Sequence, residues 1–535
     1  MKGKEHEMKI LVADKISQEG IKILEDGGNH TVDFKPEITP DELKEQIKDY
    51  DALVIRSRSK VPTEVIENAD RLKVVGRAGV GLDNVDIPAA TRRGIIVMNT
   101  PDGNTISAAE HTMSLIMALS RNVPQADKSM KEKRWDKKKL LGVELYGKTL
   151  GVVGLGRIGG AVAERALAFE MKVLAFDPQV SPDSIKKMGM EPSSLEEIIK
   201  NSDYITVHAP LNDATRGMIG KDEFKYMKKT ARIVNCARGG IVDEKALIKA
   251  LEEGQIAGAA LDVFSTEPLP EDSPLREAPN LILTPHLGAS TVEAQEKVAV
   301  HVAEQIVKVL AGGEIINAVN APSLDPELLK VMRPYLDLAE KLGKFSCNYA
   351  DSRVVKITCS YSGDVLEYPL NALTTAVVKG FMEPTTDLTV NYVNAMNLAE
   401  NRGIEVIESR SSVRYQYTNL ITVETKMENG KKNKVCGTLY TSEMPRIVIV
   451  NDRHFNAIPQ GNMLVVSNKD VPGIIGAVAT ILGNHKINIA QMTWGRAEPS
   501  GDAMTIINTD QAISQDIIKE LSGHDDILEV KFLTI

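Results

Sequence analysis

The stretch that most limits how this chain can fold is Leu150-Gly151-Val152-Val153-Gly154-Leu155-Gly156-Arg157-Ile158-Gly159. A short apolar strand enters a Gly-x-Gly-x-x-Gly turn. A helix is expected from Ala161 to Phe169, then a strand, Lys172 to Phe176, that ends on Asp177. Each glycine has its own task. Gly154 permits the tight turn, Gly156 lets a pyrophosphate approach the backbone, and Gly159 lets helix pack close to strand. The helix N-terminus offers unpaired N–H groups and the positive end of a dipole. Asp177 sits where a carboxylate bonds both hydroxyls of an adenosine ribose and repels a 2′-phosphate, which favours NAD over NADP. A glycine turn alone would be compatible with no ligand at all. Strand, glycines, helix, strand and acid in register argue for a dinucleotide.

The 535 residues are too many for one core and suggest three or four domains. A net charge of -9 argues against nucleic acid as the main partner. No apolar run is long enough to span a bilayer. Met1 to Glu7 is polar, lacks an apolar signal core, and is expected to be a disordered extension ahead of a structured start at Met8. The cysteines, Cys236, Cys347, Cys359 and Cys436, form neither a metal-like pair nor a disulfide framework. A reducing cytoplasm fits them, and no metal is expected.

From Lys9 to Asn99 strands alternate with helices, the pattern of a parallel sheet covered on both faces. Ligands of such sheets bind beyond the carboxyl ends of strands. Arg56, Ser57 and Arg58 follow one strand; Arg77 and the glycine turn at Gly79 follow another. Guanidinium groups there suit a phosphate and a carboxylate. Arg58 is equally well read as a solvated surface residue. A long helix from about Thr105 looks like the crossing into a second lobe. The basic run from Lys128 to Lys139 around Trp135 reads as a solvated arm, or as a contribution to a neighbouring subunit's site.

In the second lobe, strand ends carry Ala209-Pro210, Cys236-Ala237-Arg238, Asp262 and His286, and Glu267 follows Asp262 by five residues. Arg238, Asp262, Glu267 and His286 should share one sheet edge. A histidine, a glutamate and an arginine opposite a nicotinamide suffice to oxidise a 2-hydroxy acid. The histidine takes the hydroxyl proton, the glutamate fixes its tautomer, and the arginine clamps the carboxylate. A helix from Thr291 to Leu310 should return the chain to the first lobe.

Beyond the linker Ala321 to Pro326, strand-like pieces (354–358, 404–408, 421–424, 447–450) alternate with helices (326–341, 391–401), and no catalytic constellation is visible. After Pro459-Gln460-Gly461 the last unit reads strand, helix, strand, strand, helix, strand, a ferredoxin-like order.

The segments Gly76 to Asp86, Asn235 to Glu244 and Pro285 to Thr291 resemble those of the D-isomer-specific 2-hydroxyacid dehydrogenases. The likeness covers nearly the whole chain and is strongest to long members with an intervening domain and a C-terminal ACT domain. It implies an α/β protein of two doubly wound parallel-sheet domains, followed by an α+β intervening domain and a ferredoxin-like ACT domain. The expected spans are 8–102 with 290–318 (flavodoxin-like, substrate-binding), 103–289 (Rossmann, NAD-binding), 319–458 (intervening) and 459–535 (ACT).

The likeness also implies roles. Arg238, Glu267 and His286 are the expected catalytic residues. NAD contacts are expected at Gly154, Gly156, Arg157, Ile158, Gly159, Asp177, Ala209, Pro210, Cys236, Ala237, Arg238, Asp262, His286 and Gly288. Substrate contacts are expected at Arg56, Ser57, Arg77 and Gly79, with Arg134 or Lys137 reaching in from a partner subunit, so that a dimer is the minimum assembly. The implied substrate is 3-phosphoglycerate, oxidised to 3-phosphohydroxypyruvate at the start of serine synthesis. L-Serine would be sensed at Asn468, Asp470 and, across a dimer, Asn488. The polar loop ahead of Val471 also reads as a plain helix entry. Arg446, Arg453 and His454 are anion-site candidates in the intervening domain, and surface charge explains them as well. The rivals are a related glyoxylate, hydroxypyruvate or lactate dehydrogenase, and a nucleotide-sensing binding protein of the same fold.

Overall fold

The computed structural model describes residues 7–313, 315–322, 326–411, 417–441, 443–496 and 501–535. The expected extension at residues 1–6 and the centre of the first linker, 323–325, lie outside the described residues. The described residues form four sheets, one for each block of the sequence.

The first sheet holds β1 (Met8–Val12), β2 (His30–Phe34), β3 (Ala52–Ile55), β4 (Val74–Arg77) and β5 (Ile96–Met98). They are parallel in the order β2-β1-β3-β4-β5, the flavodoxin-like arrangement. β3 is buried on both faces, as expected of a central parallel strand. The helix Val292–Leu310, capped by Thr291, closes one face of this sheet. Its Val298, Val302 and Ile306 share a core with Ile10, Val54 and Val74. The chain stays with this lobe through Asn320, whose Oδ1 accepts from the Val97 N–H.

The second sheet holds β6 (Thr149–Val153), β7 (Lys172–Phe176), β8 (Glu191–Pro192), β9 (Tyr204–Val207), β10 (Arg232–Asn235), β11 (Gly258–Leu261) and β12 (Leu281–Leu283). All are parallel, in the order β12-β11-β10-β9-β6-β7-β8. The order reverses between β6 and β9, which places a ligand crevice at the glycine turn. The helix Arg157–Ala168 starts directly after Gly156, four residues before the expected Ala161. Two consecutive glycines at 159 and 160 hid that start, because glycine is a poor helix former.

The third block contains β13 (Val354–Gly363), β14 (Glu405–Arg410), β15 (Asn419–Met427), β16 (Lys432–Tyr440), β17 (Met444–Val450) and β18 (Arg453–Ala457), a mixed sheet in the order β14-β13-β15-β16-β17-β18. Its largest surprise is the helix Leu370–Met382, in which all but Asn371 and Lys379 are buried. A helix covered all round has no polar stripe, so the 3.6-residue signal is absent from its sequence.

The last block contains β19 (Asn462–Lys469), β20 (Ile489–Arg496), β21 (Asp502–Thr509) and β22 (Ile527–Thr534), antiparallel in the order β20-β21-β19-β22. One face of this sheet joins the core of the third block: Met463, Val465, Met504, Ile506 and Leu533 cluster with Leu338, Leu342 and Val435. This second half also touches the first lobe. Val393 is buried in that lobe's core, and Asn391 donates to the Gly94 carbonyl at 2.8 Å. No helix among the described residues is long and apolar enough to cross a membrane.

Candidate active site

The glycine turn has the geometry of a nucleotide cradle. Gly154 has φ +95°, and a Cβ there would lie 2.5 Å from the His208 carbonyl oxygen. A Cβ on Gly159 would lie 2.0 Å from the Gly154 carbonyl oxygen, so helix and strand touch there. A Cβ on Gly156 would meet nothing within 4 Å, which is the open face a pyrophosphate needs. Asp177 accepts from the Leu155 N–H at 2.7 Å and the Gln179 N–H at 2.8 Å. Its carboxylate thus stands over the turn. The residues present fit a bound NAD. Arg157 is paired with Asp102 of the first lobe, so its guanidinium bridges the lobes. Ile158, the next residue of the same helix, packs against the core of the second lobe. Ala209 and Pro210 follow β9; the Pro210 carbonyl accepts from Thr215.

At the ends of β10, β11 and β12 the chain builds a polar cluster. Asn235 shapes the first turn: its amide donates to the Arg238 carbonyl at 2.9 Å and accepts from the Ala237 N–H at 3.0 Å. Cys236 lies beneath, its thiol pushed up to about 12 by burial. After β11, the fully buried Asp262 accepts from Thr284 Oγ1 (2.6 Å), the Leu287 N–H (2.8 Å), the Gly288 N–H (2.9 Å) and His111 Nε2 (3.1 Å). Burial penalises the Asp262 charge, but these donors outweigh it and hold the carboxyl below its ordinary range.

His286 adopts φ +54°, a left-handed conformation that a non-glycine residue holds only under constraint. Its N–H donates to the Asp262 carbonyl at 2.9 Å. Its ring Nδ1 lies 2.7 Å from Glu267 Oε2. A carboxylate only accepts, so Nδ1 carries the proton and Nε2 keeps its lone pair. The hydrogen bond to Glu267 raises the imidazole pKa above its usual 6.5, against the opposing effect of burial. Glu267 is itself oriented by the Phe264 N–H at 3.0 Å.

Across the gap, the first lobe presents its arginines. Asp14, nearly buried, accepts from the Ser59 N–H (3.2 Å) and Ser59 Oγ (2.8 Å), and Asn84 donates to the Arg56 and Ser59 carbonyls at 2.7 and 2.6 Å. Together they fold the loop that carries Arg56 and Ser57. Arg58 turns away, to Asp14 at 3.4 Å and the Ile38 carbonyl at 3.1 Å, and holds the loop together. Arg77 is different. Its Nε and Nη1 are buried and have no partner among the described residues. Burial, and then the nearby Arg238, push its pKa down to about 10. Arg238 comes from the other lobe and donates to Asp83 at 3.1 Å. Both guanidiniums meet over Gly81, whose added Cβ would lie 2.1 Å from Arg238 Nη2 and 2.8 Å from Arg77 Nη1. Two cations converge there with one carboxylate, Asp83, between them.

The remaining expected residues are not gathered here. Arg134 is exposed and pairs with Glu132 at 2.5 Å; Lys137 is exposed on the same arm. Asp470 pairs with Arg496 at 2.9 Å, and the Asn468 amide donates to the Lys469 carbonyl at 2.7 Å. Asn488 bonds Asp510 at 2.6 Å, at the opposite end of the β19–β21 ladder. That is about 20 Å away at the rise of an extended strand. Within one chain the three do not form a site. Of the anion candidates, Arg446 stacks on Tyr440, Arg453 donates to the Asp502 carbonyl, and His454 is exposed on β18. Sequence reading missed Asp14, Gly81, Asp83, Asn84 and His111. A carboxylate or asparagine at a strand's carboxyl end was the available signal for Asp14, Asp83 and Asn84.

Comparison with known proteins agrees with this geometry. Residues 113–288 match the NAD binding domain of the D-isomer specific 2-hydroxyacid dehydrogenases, 331–451 the D-3-phosphoglycerate dehydrogenase intervening domain, and 462–524 the ACT domain. A D-3-phosphoglycerate dehydrogenase of Methanocaldococcus jannaschii is 44% identical over 99% of this chain and 100% of the relative. The chain belongs to the D-3-phosphoglycerate dehydrogenase family. A Bacillus subtilis member is 40% identical over 98% of this chain and 99% of its own length. Among solved structures, an NAD-dependent formate dehydrogenase from Staphylococcus aureus, in complex with NAD, matches with a TM-score of 0.53 at 30% identity. It covers 59% of this chain and 100% of that one. The NAD-binding, intervening and ACT domains of the family are therefore present in this chain.

Proposed function

We propose that the chain oxidises 3-phosphoglycerate to 3-phosphohydroxypyruvate with NAD, the step that opens serine synthesis. The observation that carries this reading is Arg77: a buried guanidinium with two unpartnered nitrogens, beside Arg238 and facing a histidine–glutamate pair. A buried charged donor left unpaired is costly, so the cleft is built for an anion. NAD, held by Gly154, Gly156, Gly159 and Asp177, supplies the hydride acceptor. His286 takes the hydroxyl proton at Nε2. Glu267 keeps the proton on Nδ1 and stabilises the imidazolium. Arg238 exchanges Asp83 for the substrate's carboxylate and developing carbonyl, and Arg56 and Arg77 take the phosphate end.

Two copies pair in this reading. Trp135, Leu141 and Tyr146 are exposed on and beside the basic arm, more apolar surface than a monomer comfortably shows. Arg134 and Lys137 would then reach the partner's phosphate subsite. L-Serine would bind between two ACT units, where Asn468 and Asp470 of one copy meet Asn488 of the other.

The test is initial rates of NADH formation with 3-phosphoglycerate and with D-glycerate, each with and without L-serine. Turnover confined to the phosphorylated substrate and lowered by serine supports the reading. Equal rates with D-glycerate would point to another member of the wider family. No turnover of any 2-hydroxy acid would point to a binding role.

A further inference from the structure

His111, Cys236 and Asp262 bring an imidazole, a thiol and a carboxylate within 4.8 Å of one another. The donor types would suit a metal, but the carboxylate is already spent: Asp262 accepts four hydrogen bonds, from Thr284, Leu287, Gly288 and His111. Burial also keeps the Cys236 thiol protonated, with a pKa of about 12. The cluster works by hydrogen bonding.

What it holds is the segment that carries His286. The left-handed backbone of His286 is anchored at the Asp262 carbonyl, and the two residues after it are anchored at the Asp262 carboxylate. His111 lies on the helix Thr105–Arg121. Its Nε2 is 3.1 Å from Asp262 Oδ1 and 3.2 Å from Thr284 Oγ1. Thr284 Oγ1 already donates to Asp262, so His111 can donate to either oxygen while its partners keep their bonds. The same helix makes a second attachment one turn earlier: Ser107 Oγ donates to the Gly288 carbonyl at 2.9 Å. The helix that crosses between the lobes is thus fastened twice to the histidine loop.

We propose that His111 is a positioning residue for the dehydrogenase reaction, acting through Asp262 to hold His286 in its left-handed conformation against Glu267. The inference rests on the reading of His286 as the proton acceptor. Loss of the His111 N–H leaves the fully buried Asp262 carboxylate short of one donor, and the loop that it orders relaxes. A relaxed loop loosens the His286–Glu267 bond, and the raised imidazole pKa falls back toward 6.5.

The experiment compares His111→Leu, which removes the donor, with His111→Gln, whose amide restores one. The first readout needs no turnover: the pH dependence of diethylpyrocarbonate modification at His286, followed by mass spectrometry in the free protein. The expected midpoint falls toward 6.5 in the leucine variant and stays near wild type in the glutamine variant. The second readout is kinetic. The leucine variant loses at least about tenfold in kcat, with KM for 3-phosphoglycerate within a factor of about two, because a misplaced base slows proton transfer without weakening binding. A larger isotope effect with substrate deuterated at C2 accompanies that loss, and melting temperatures of the two variants agree. An unchanged midpoint in the leucine variant overturns the inference. So does an equal loss of kcat and of melting temperature in both variants, which would mark a packing role. Wild-type protein that fails to turn over 3-phosphoglycerate fails the underlying reading, whatever the variants do.

Discussion

His286 Nδ1 lies 2.7 Å from Glu267 Oε2, and the two pKa values move apart because of it. The hydrogen bond raises the imidazole above 6.5. Burial alone would raise Glu267, but the bonds from His286 and from the Phe264 N–H outweigh it and lower the carboxyl. Both shifts favour the charged form of the pair.

Replacing Glu267 by Gln should move the rate profile to lower pH. The oxidation needs neutral His286, so kcat/KM rises with pH through the imidazole pKa. In the variant that midpoint falls toward 6.5, and the plateau drops because the tautomer is no longer fixed, by roughly a hundredfold. Stability follows the same bond. The raised histidine contributes stability that is complete below about pH 6.5 and lost as pH rises through its folded value. The lowered glutamate contributes stability present above its ordinary pKa of 4.5 and lost as pH falls through its folded value. Urea melts of wild type and variant across pH 3 to about 9 check both limbs.

Arg77→Ala should raise KM for 3-phosphoglycerate without unfolding the protein. A charge-assisted hydrogen bond contributes about 1.5–3 kcal/mol, so the loss in kcat/KM is roughly ten- to a hundredfold. Gly81→Ala should act in the same direction, because its methyl group displaces Arg238 Nη2. Steady-state rates with substrate varied at saturating NAD measure both.

Asp177→Ala should weaken NAD and admit NADP. The carboxylate that repels a 2′-phosphate is removed, and the Leu155 and Gln179 N–H groups lose their acceptor. The ratio of kcat/KM for NAD to that for NADP should fall by at least about tenfold.

Leu373→Ala probes the intervening domain alone. Leu373 is fully buried in the helix Leu370–Met382, so truncation should cost about 2–5 kcal/mol of that domain's stability. Turnover without serine should be unchanged at low temperature, since the catalytic cleft is built from other cores. Calorimetry paired with a rate assay decides this.

The two catalytic lobes were legible because parallel strands announce themselves as apolar runs, and because each glycine of the turn has a steric reason that sequence spacing exposes. The arrangement of Arg238, Glu267 and His286 at one sheet edge followed from strand ends alone. What sequence hid is polar and long-range. Asp14 and Asn84 shape the arginine loop through bonds to backbone up to 45 residues away, and Asp83 reaches Arg238 across 155 residues. Such contacts leave no periodic trace. The helix Leu370–Met382 was hidden for the opposite reason, since complete burial erases amphipathic patterning.

If His286 accepts the hydroxyl proton in a cleft made for a phosphorylated hydroxy acid, its loss must slow the first turnover itself. Single-turnover formation of NADH from 3-phosphoglycerate, wild type beside His286→Ala, reads that step. The variant should be slower by roughly a hundred- to ten-thousandfold, with NAD still bound. NADH formation at the wild-type rate in the variant would rule His286 out as the proton acceptor.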